Sequence, residues 1–232
     1  MIDWRAIDTV LLDMDGTLLD LHFDSHFWLE HLPRRYGELH RLDEATQAQV
    51  RSRIIHEKGT LNWYSLAYWS RELDVDILAL KREIQHLIGL RGDALDFLKW
   101  LQQAHPRVVL ATNADRASLE LKLPLTGLEA YLDAIVSSAD LGVPKEDQAF
   151  WFALQDIEPF DPERTLFIDD NPSVLESARE FGIRHLLGIK QPDSTRPEKE
   201  LEEFIVLDRF ASILPQNLPP LVDDDRGDGT YG

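Results

Sequence analysis

Thr9-Val10-Leu11-Leu12-Asp13-Met14-Asp15-Gly16-Thr17 decides the fold, because an almost wholly apolar, β-favouring run leads straight into two carboxylates, a glycine and a hydroxyl. A strand apolar on both faces predicts the centre of a parallel sheet covered by helices on either side. Ligands of such sheets bind beyond the carboxyl ends of the strands, where Asp13 and Asp15 stand. Gly16 lets the backbone turn there with no Cβ in the way. Two ionised carboxylates this close repel each other and require a cation or fixed donors. An all-oxygen set of this kind suits Mg2+, which takes one or two carboxylates and bridges to a phosphate. Asp-Gly alone is also a common turn dipeptide, so the reading depends on the rest of the chain.

Three further strand ends carry matching groups. Arg107-Val108-Val109-Leu110-Ala111-Thr112-Asn113 ends an apolar run in a hydroxyl and an amide, group types that hydrogen-bond a phosphoryl oxygen. Behind the strand-like Ala134-Ile135-Val136-Ser137-Ser138, the segment Gly142-Val143-Pro144-Lys145-Glu146-Asp147 fixes a lysine just before a helical stretch from Asp147 to Leu154. Thr165-Leu166-Phe167-Ile168-Asp169-Asp170-Asn171-Pro172 is a second apolar strand ending in paired acids, and Pro172 suits the first turn of a following helix. Singly, these are a helix cap, a surface lysine and a turn. Together they supply a carboxylate nucleophile, an acid or base, a phosphoryl-binding hydroxyl, a neutralising ammonium and metal ligands, which no single bland reading explains.

In this order the four motifs resemble the haloacid dehalogenase superfamily of phosphohydrolases, over residues 9 to about 190. The resemblance implies an α/β protein: a Rossmann-like, doubly wound parallel-sheet core with a small helical cap inserted after the first strand. It also implies a mechanism. Asp13 attacks phosphorus and forms an aspartyl-phosphate, splitting one hard displacement into two easier ones. Asp15 protonates the leaving oxygen and then deprotonates the attacking water. Mg2+ is held by the Asp13 carboxylate, the Asp15 backbone carbonyl and Asp170, with Asp169 in support. Thr112, Asn113 and Lys145 face the phosphoryl group, Lys145 also offsetting charge around Asp13.

Asp15 discriminates among relatives. Dehalogenases lack an acid there because halide leaves without a proton, and phosphonatases use a cap lysine, for which the insert offers only Lys58 and Lys81. Phosphate ester cleavage or phosphoryl transfer is therefore expected, with sugar-phosphate phosphatase or phosphomutase as the alternative to a nucleotidase. A phospho-signalling receiver, which combines similar groups, carries its acidic pair at the first strand and its phosphoacceptor at the third; here the order is reversed.

Residues 18–90 read as almost wholly helical, with periodic stretches Ser25 to Tyr36 (broken or kinked at Pro33), Glu44 to Glu57, Leu61 to Leu73 and Asp76 to Ile88. The expected organisation is a core of 1–17 and 91–215, a cap of 18–90 and an acidic, mobile tail of 216–232. Phe23, Phe27, Trp28, Tyr36, Trp63, Tyr64, Tyr68 and Trp69 make the insert aromatic. Most such rings pack in a core; one or two facing a cleft would suit a flat base. Thr60-Leu61-Asn62-Trp63-Tyr64, Tyr68-Trp69 and Leu141-Gly142-Val143-Pro144-Lys145-Glu146-Asp147-Gln148 resemble the bacterial GMP/IMP 5'-nucleotidase branch of the superfamily, which implies a purine nucleoside monophosphate as substrate.

With 24 basic and 42 acidic residues among 232, the chain carries a net charge of −18, which argues against nucleic-acid or anionic-membrane binding. Zero cysteines exclude a disulfide framework and thiolate chemistry. No long apolar run and no signal-peptide pattern are seen, so a cytoplasmic protein is expected. The eight histidines show no convincing metal spacing.

Overall fold

The computed structural model describes residues 2–201 and 203–215; the expected tail at 216–232 lies outside them. Six parallel strands form one sheet: β1 (Thr9–Leu12), β2 (Arg107–Thr112), β3 (Ala134–Ser137), β4 (Thr165–Asp169), β5 (His185–Ile189) and β6 (Ile205–Leu207), in spatial order β3-β2-β1-β4-β5-β6. The helices between β1 and β2 are α1 (His22–His26), α2 (Leu32–His40), α3 (Glu44–His56), α4 (Leu61–Tyr64), α5 (Leu66–Leu73), α6 (Ile77–Glu83) and α7 (Ala94–Ala104). Those that follow are α8 (Arg116–Thr126), α9 (Ser138–Leu141), α10 (Gln148–Ile157) and α11 (Pro172–Phe181).

Successive strand side chains point to opposite faces, and β1 divides accordingly. Val10 and Leu12 pack with Phe97, Leu98 and Leu101 of α7 and with Leu119 and Leu123 of α8, whereas Leu11 packs with Phe150, Trp151 and Leu154 of α10 and Val174 and Leu175 of α11. Burying each such Leu or Phe contributes roughly 1.5–3 kcal/mol, so the apolar run is stable only with helices on both faces. The strand order reverses at β1: the chain steps outward to β2 and β3, then returns to the other side of β1 for β4. Leu12 pairs with Leu110 and Ile168, and the Asp13 N–H donates to the Ile168 carbonyl at 3.0 Å. Asp13 and Asp169 therefore leave the sheet at the same level, at the switch point where such folds bind ligands.

The insert departs from the sequence expectation in three places. Its first helix does not break at Pro33; it widens into a π turn over Phe27–His31, and Pro33 falls in the first turn of α2. The wider turn relieves the clash that a proline ring makes with the carbonyl of residue i−4. The stretch 61–73 divides into α4 and α5 because Ser65 leaves the helical region (φ −87°, ψ 111°) and caps α5, its side chain accepting from the Tyr68 N–H. The last stretch ends its α-helix at Glu83. Phe23, Phe27, Leu66, Trp69, Leu73 and Ile77 form an apolar cluster in the insert that is completed by Leu121 of α8. Its two crossings run side by side: the Asp20 N–H donates to the Gly89 carbonyl at 3.0 Å and the Arg91 N–H to the Leu18 carbonyl at 2.9 Å. Leu18 and Leu19 pack with the core's apolar side chains. Among the described residues no helix is long and apolar enough to cross a membrane.

Candidate active site

Three of the four expected groups sit at strand ends, whereas Lys145 lies beyond α9, in the loop that leads into α10, because the short helix Ser138–Leu141 separates it from β3. Asp13 follows β1, Thr112 ends β2 and Asp169 ends β4. Gly16 has φ +88°, and a Cβ there would lie 2.8 Å from the Asp170 carboxyl carbon. Its lack of a side chain thus serves both the turn and the approach of Asp170. Lys145 is aimed by its loop: its N–H donates to Asn113 Oδ1 at 3.0 Å, and its carbonyl accepts from the buried indole of Trp151 at 3.1 Å.

The Lys145 ammonium is 2 % exposed and donates to Asp13 Oδ1 at 2.5 Å, Asp169 Oδ2 at 2.7 Å and the Ala111 carbonyl at 2.9 Å. Burial pushes this lysine down, but Asp13 and Asp169 outweigh it and hold it above the usual range, so it stays charged. Asp13, Asp169 and Asp170 each offer a carboxylate oxygen within 4.8 Å of the others. Burial pushes all three carboxyls up to about 6, against the lowering effect of Lys145 on the first two and of Lys199, 3.3 Å from Asp170, on the third. Three buried acids whose lysine partners do not offset their desolvation, arranged as an oxygen-only set, fit a hard divalent cation.

That arrangement sets a pH dependence. Folded-state pKa values raised to about 6 mean that the native protein binds these protons more tightly than the unfolded chain. The resulting stability is complete below the ordinary carboxylate range and is lost as pH rises through about 6. Without metal, Tm is expected to fall between about pH 5 and about pH 7.5. Saturating Mg2+, about a hundredfold above Kd, is expected to restore roughly 5–10 °C at the higher pH and much less at the lower. Thermal melts that rise equally at both pH values would contradict the cluster's role.

The other residues are less symmetrical. The Thr112 hydroxyl is buried and accepts from the Ala114 N–H at 3.1 Å. Both ends of the Asn113 amide are taken within the protein, Oδ1 by Lys145 and Nδ2 by Glu146 Oε2 at 2.9 Å. Asp15 turns toward Lys122, whose ammonium donates to its Oδ1 at 2.7 Å. Burial pushes the Asp15 carboxyl up to about 6, with Lys122 opposing and Asp24 assisting. Lys81, one of the two insert lysines, is buried and donates to Asp24 at 2.6 Å.

Sequence reasoning missed Lys122, Asp24, Glu146 and Tyr64. The Tyr64 hydroxyl, on the insert, donates to Glu146 Oε1 at 2.8 Å, and burial with the Glu146 charge holds its pKa well above the usual range. The available signal was a lysine set within otherwise buried helix faces: Lys122 between Leu119 and Leu123, and Lys81 beside Ile77 and Leu80.

The haloacid dehalogenase-like hydrolase family model matches residues 7–182. The chain belongs to the haloacid dehalogenase-like hydrolases. It is 41% identical over 215 residues to the GMP/IMP nucleotidase YrfG of Escherichia coli (strain K12), covering 92% of this chain and 97% of that protein. It is 26% identical over 186 residues to the pyrophosphatase PpaX of Bacillus pumilus, covering 77% and 82% of the two. A haloacid dehalogenase-like phosphatase from Thermococcus onnurineus shares its fold, with a TM-score of 0.69 at 18% identity over 86% of this chain and 93% of that one. As a member of this family the protein is an enzyme.

Proposed function

We propose that this hydrolase releases phosphate from purine nucleoside 5'-monophosphates, GMP and IMP foremost, through an aspartyl-phosphate on Asp13, in the cytoplasm. The enzyme is a phosphoric monoester hydrolase. The observation that carries the mechanism is the pairing of a buried Asp13 with a buried, charged Lys145 at the sheet's switch point, beside a second carboxylate pair. Support for the substrate is the 41% identity to a protein named as a GMP/IMP nucleotidase, together with the aromatic insert facing the core through Tyr64.

Asp13 attacks phosphorus as the leaving oxygen departs opposite, and Asp15 gives that oxygen its proton. Water then attacks the phosphoryl group, yielding a proton to Asp15, and Asp13 is freed. Lys145 and the Thr112 hydroxyl hold phosphoryl oxygens, while Asn113 fixes the loop that aims Lys145. Mg2+, held by Asp13, Asp170 and the Asp15 carbonyl with Asp169 behind, would supply the positive charge that lets a phosphate dianion meet an anionic nucleophile.

Phosphate release should be measured with Mg2+ across GMP, IMP, AMP, pyrimidine monophosphates and small sugar phosphates, with Asp13→Asn as the blank. GMP and IMP share a 6-oxo group and an N1–H that AMP lacks, and kcat/KM is expected to favour them by at least about tenfold, since unpaired polar groups in a site reject an analogue strongly. Preference for a sugar phosphate would overturn the nucleotide assignment and keep the core chemistry. No release from any of them would point to phosphomutase activity.

A further inference from the structure

We propose that Lys122 and Asp24 are positioning residues for Asp15, and that the buried chain Asp15, Lys122, Asp24, Lys81 holds the Asp15 carboxylate in place only while the insert is seated on the core. This rests on the reading of Asp15 as acid and base given above. The Lys122 ammonium donates to Asp15 Oδ1 at 2.7 Å and to Asp24 Oδ2 at 2.6 Å, and Lys81 donates to Asp24 Oδ1 at 2.6 Å. Both lysines are 1 % exposed. Phe23 lies between them, 4.9 Å from the Lys81 ammonium and 5.4 Å from that of Lys122, with Phe27 and Trp28 closing the Lys81 side. Water is kept from these ammoniums, so each charge depends on its neighbours.

The four charges alternate and cancel, and they divide as one acid and one lysine on each of the two bodies. Asp15 and Lys122 belong to the core, Asp24 to α1 and Lys81 to α6 of the insert. Only the bond from Lys122 to Asp24 crosses. Elsewhere between insert and core, the Leu66 N–H donates to Asp115 Oδ2 at 2.7 Å, Tyr64 reaches Glu146, and Leu121 of α8 packs among the insert's apolar side chains. Lifting the insert removes Asp24 from Lys122 and leaves the ammonium fixed from one side. The carboxylate that must face first a leaving oxygen and then a water loses its fixed direction with it. The device would keep proton transfer at Asp15 in step with a seated insert.

The two chemical steps separate this role from a structural one. With p-nitrophenyl phosphate, Asp13 displaces p-nitrophenolate, which leaves with its electron pair and needs no proton. Hydrolysis of the aspartyl-phosphate by water still delivers a proton to Asp15. Rapid-mixing kinetics on Lys122→Met and Asp24→Asn should therefore show a burst near one equivalent of p-nitrophenolate, followed by turnover at least about tenfold slower than wild type. KM for GMP should change less than kcat. The pair Asp24→Asn with Lys81→Met, which removes opposite charges together, should regain thermal stability without regaining turnover. If Asp15→Asn loses turnover while Asp24→Asn and Lys122→Met keep the wild-type rate, the proposal is overturned. The same holds if their loss merely follows a smaller burst, the mark of a misfolded fraction. Wild-type turnover in Asp15→Asn would overturn the reading of Asp15 itself, and this inference with it.

Discussion

Asp13→Asn is expected to abolish phosphate release from GMP while leaving the fold in place. The side chain is 6 % exposed and receives the Lys145 ammonium; asparagine has nearly the same shape and keeps an oxygen to accept that bond. Lys145 also retains Asp169 and the Ala111 carbonyl, so no buried cation is stranded. The amide cannot act as the nucleophile, and kcat should fall at least about 10^4-fold, equivalent to roughly 5 kcal/mol of transition-state stabilisation. Circular-dichroism melts should stay within a few degrees of wild type. Turnover within about tenfold of wild type, by contrast, would remove Asp13 from the nucleophile's role.

Lys145→Met should harm both activity and stability, for one reason. The lysine is the shared partner of two buried carboxylates, and removing one member of a buried ion pair costs about 3–5 kcal/mol because the remaining charge has no compensation. For a chain of this size that corresponds to a fall in Tm of roughly 6–20 °C. Asp13 and Asp169, already pushed up to about 6 by burial, lose the ammonium that opposes the shift. More of the nucleophile is then protonated at neutral pH, and turnover should drop at least about 10^3-fold. Saturating Mg2+ should recover part of the Tm and little of the activity, because it neutralises charge without supplying a donor at the Lys145 position. A variant that melts and turns over like wild type would show that the lysine is neither the structural nor the electrostatic partner of Asp13.

The strands that carry chemistry were legible because their signal is local. β1, β2, β3 and β4 are short apolar runs ending in polar groups, and a side chain at the end of a central parallel strand has nowhere to go but the crevice. β5 and β6 were not read, since His185–Ile189 contains a histidine and a glycine and Ile205–Leu207 is only 3 residues long. The insert was legible as helical but not in its joints: Ser65 ends one helix and caps another through a bond to Tyr68, and helical periodicity alone does not reveal that choice. Its aromatics sorted only in three dimensions. Phe23, Phe27 and Trp69 are buried within the insert, whereas Tyr64 reaches across to Glu146.

Short local patterns in the chain were enough to specify the sheet-and-helix architecture, the family resemblance, the acids and hydroxyl at three strand ends and the lysine of a following loop. Those depend on patterns of a few residues, apolar runs and the groups that follow them. The partners of the charges, by contrast, were set by how the chain packs in three dimensions. Lys122 meets Asp15 across 107 residues, Lys81 meets Asp24 across 57 and Tyr64 meets Glu146 across 82. A buried charge takes whichever opposite charge packing brings within reach, and that proximity is set by how α8 and the insert close on the core rather than by anything near the residue in the chain.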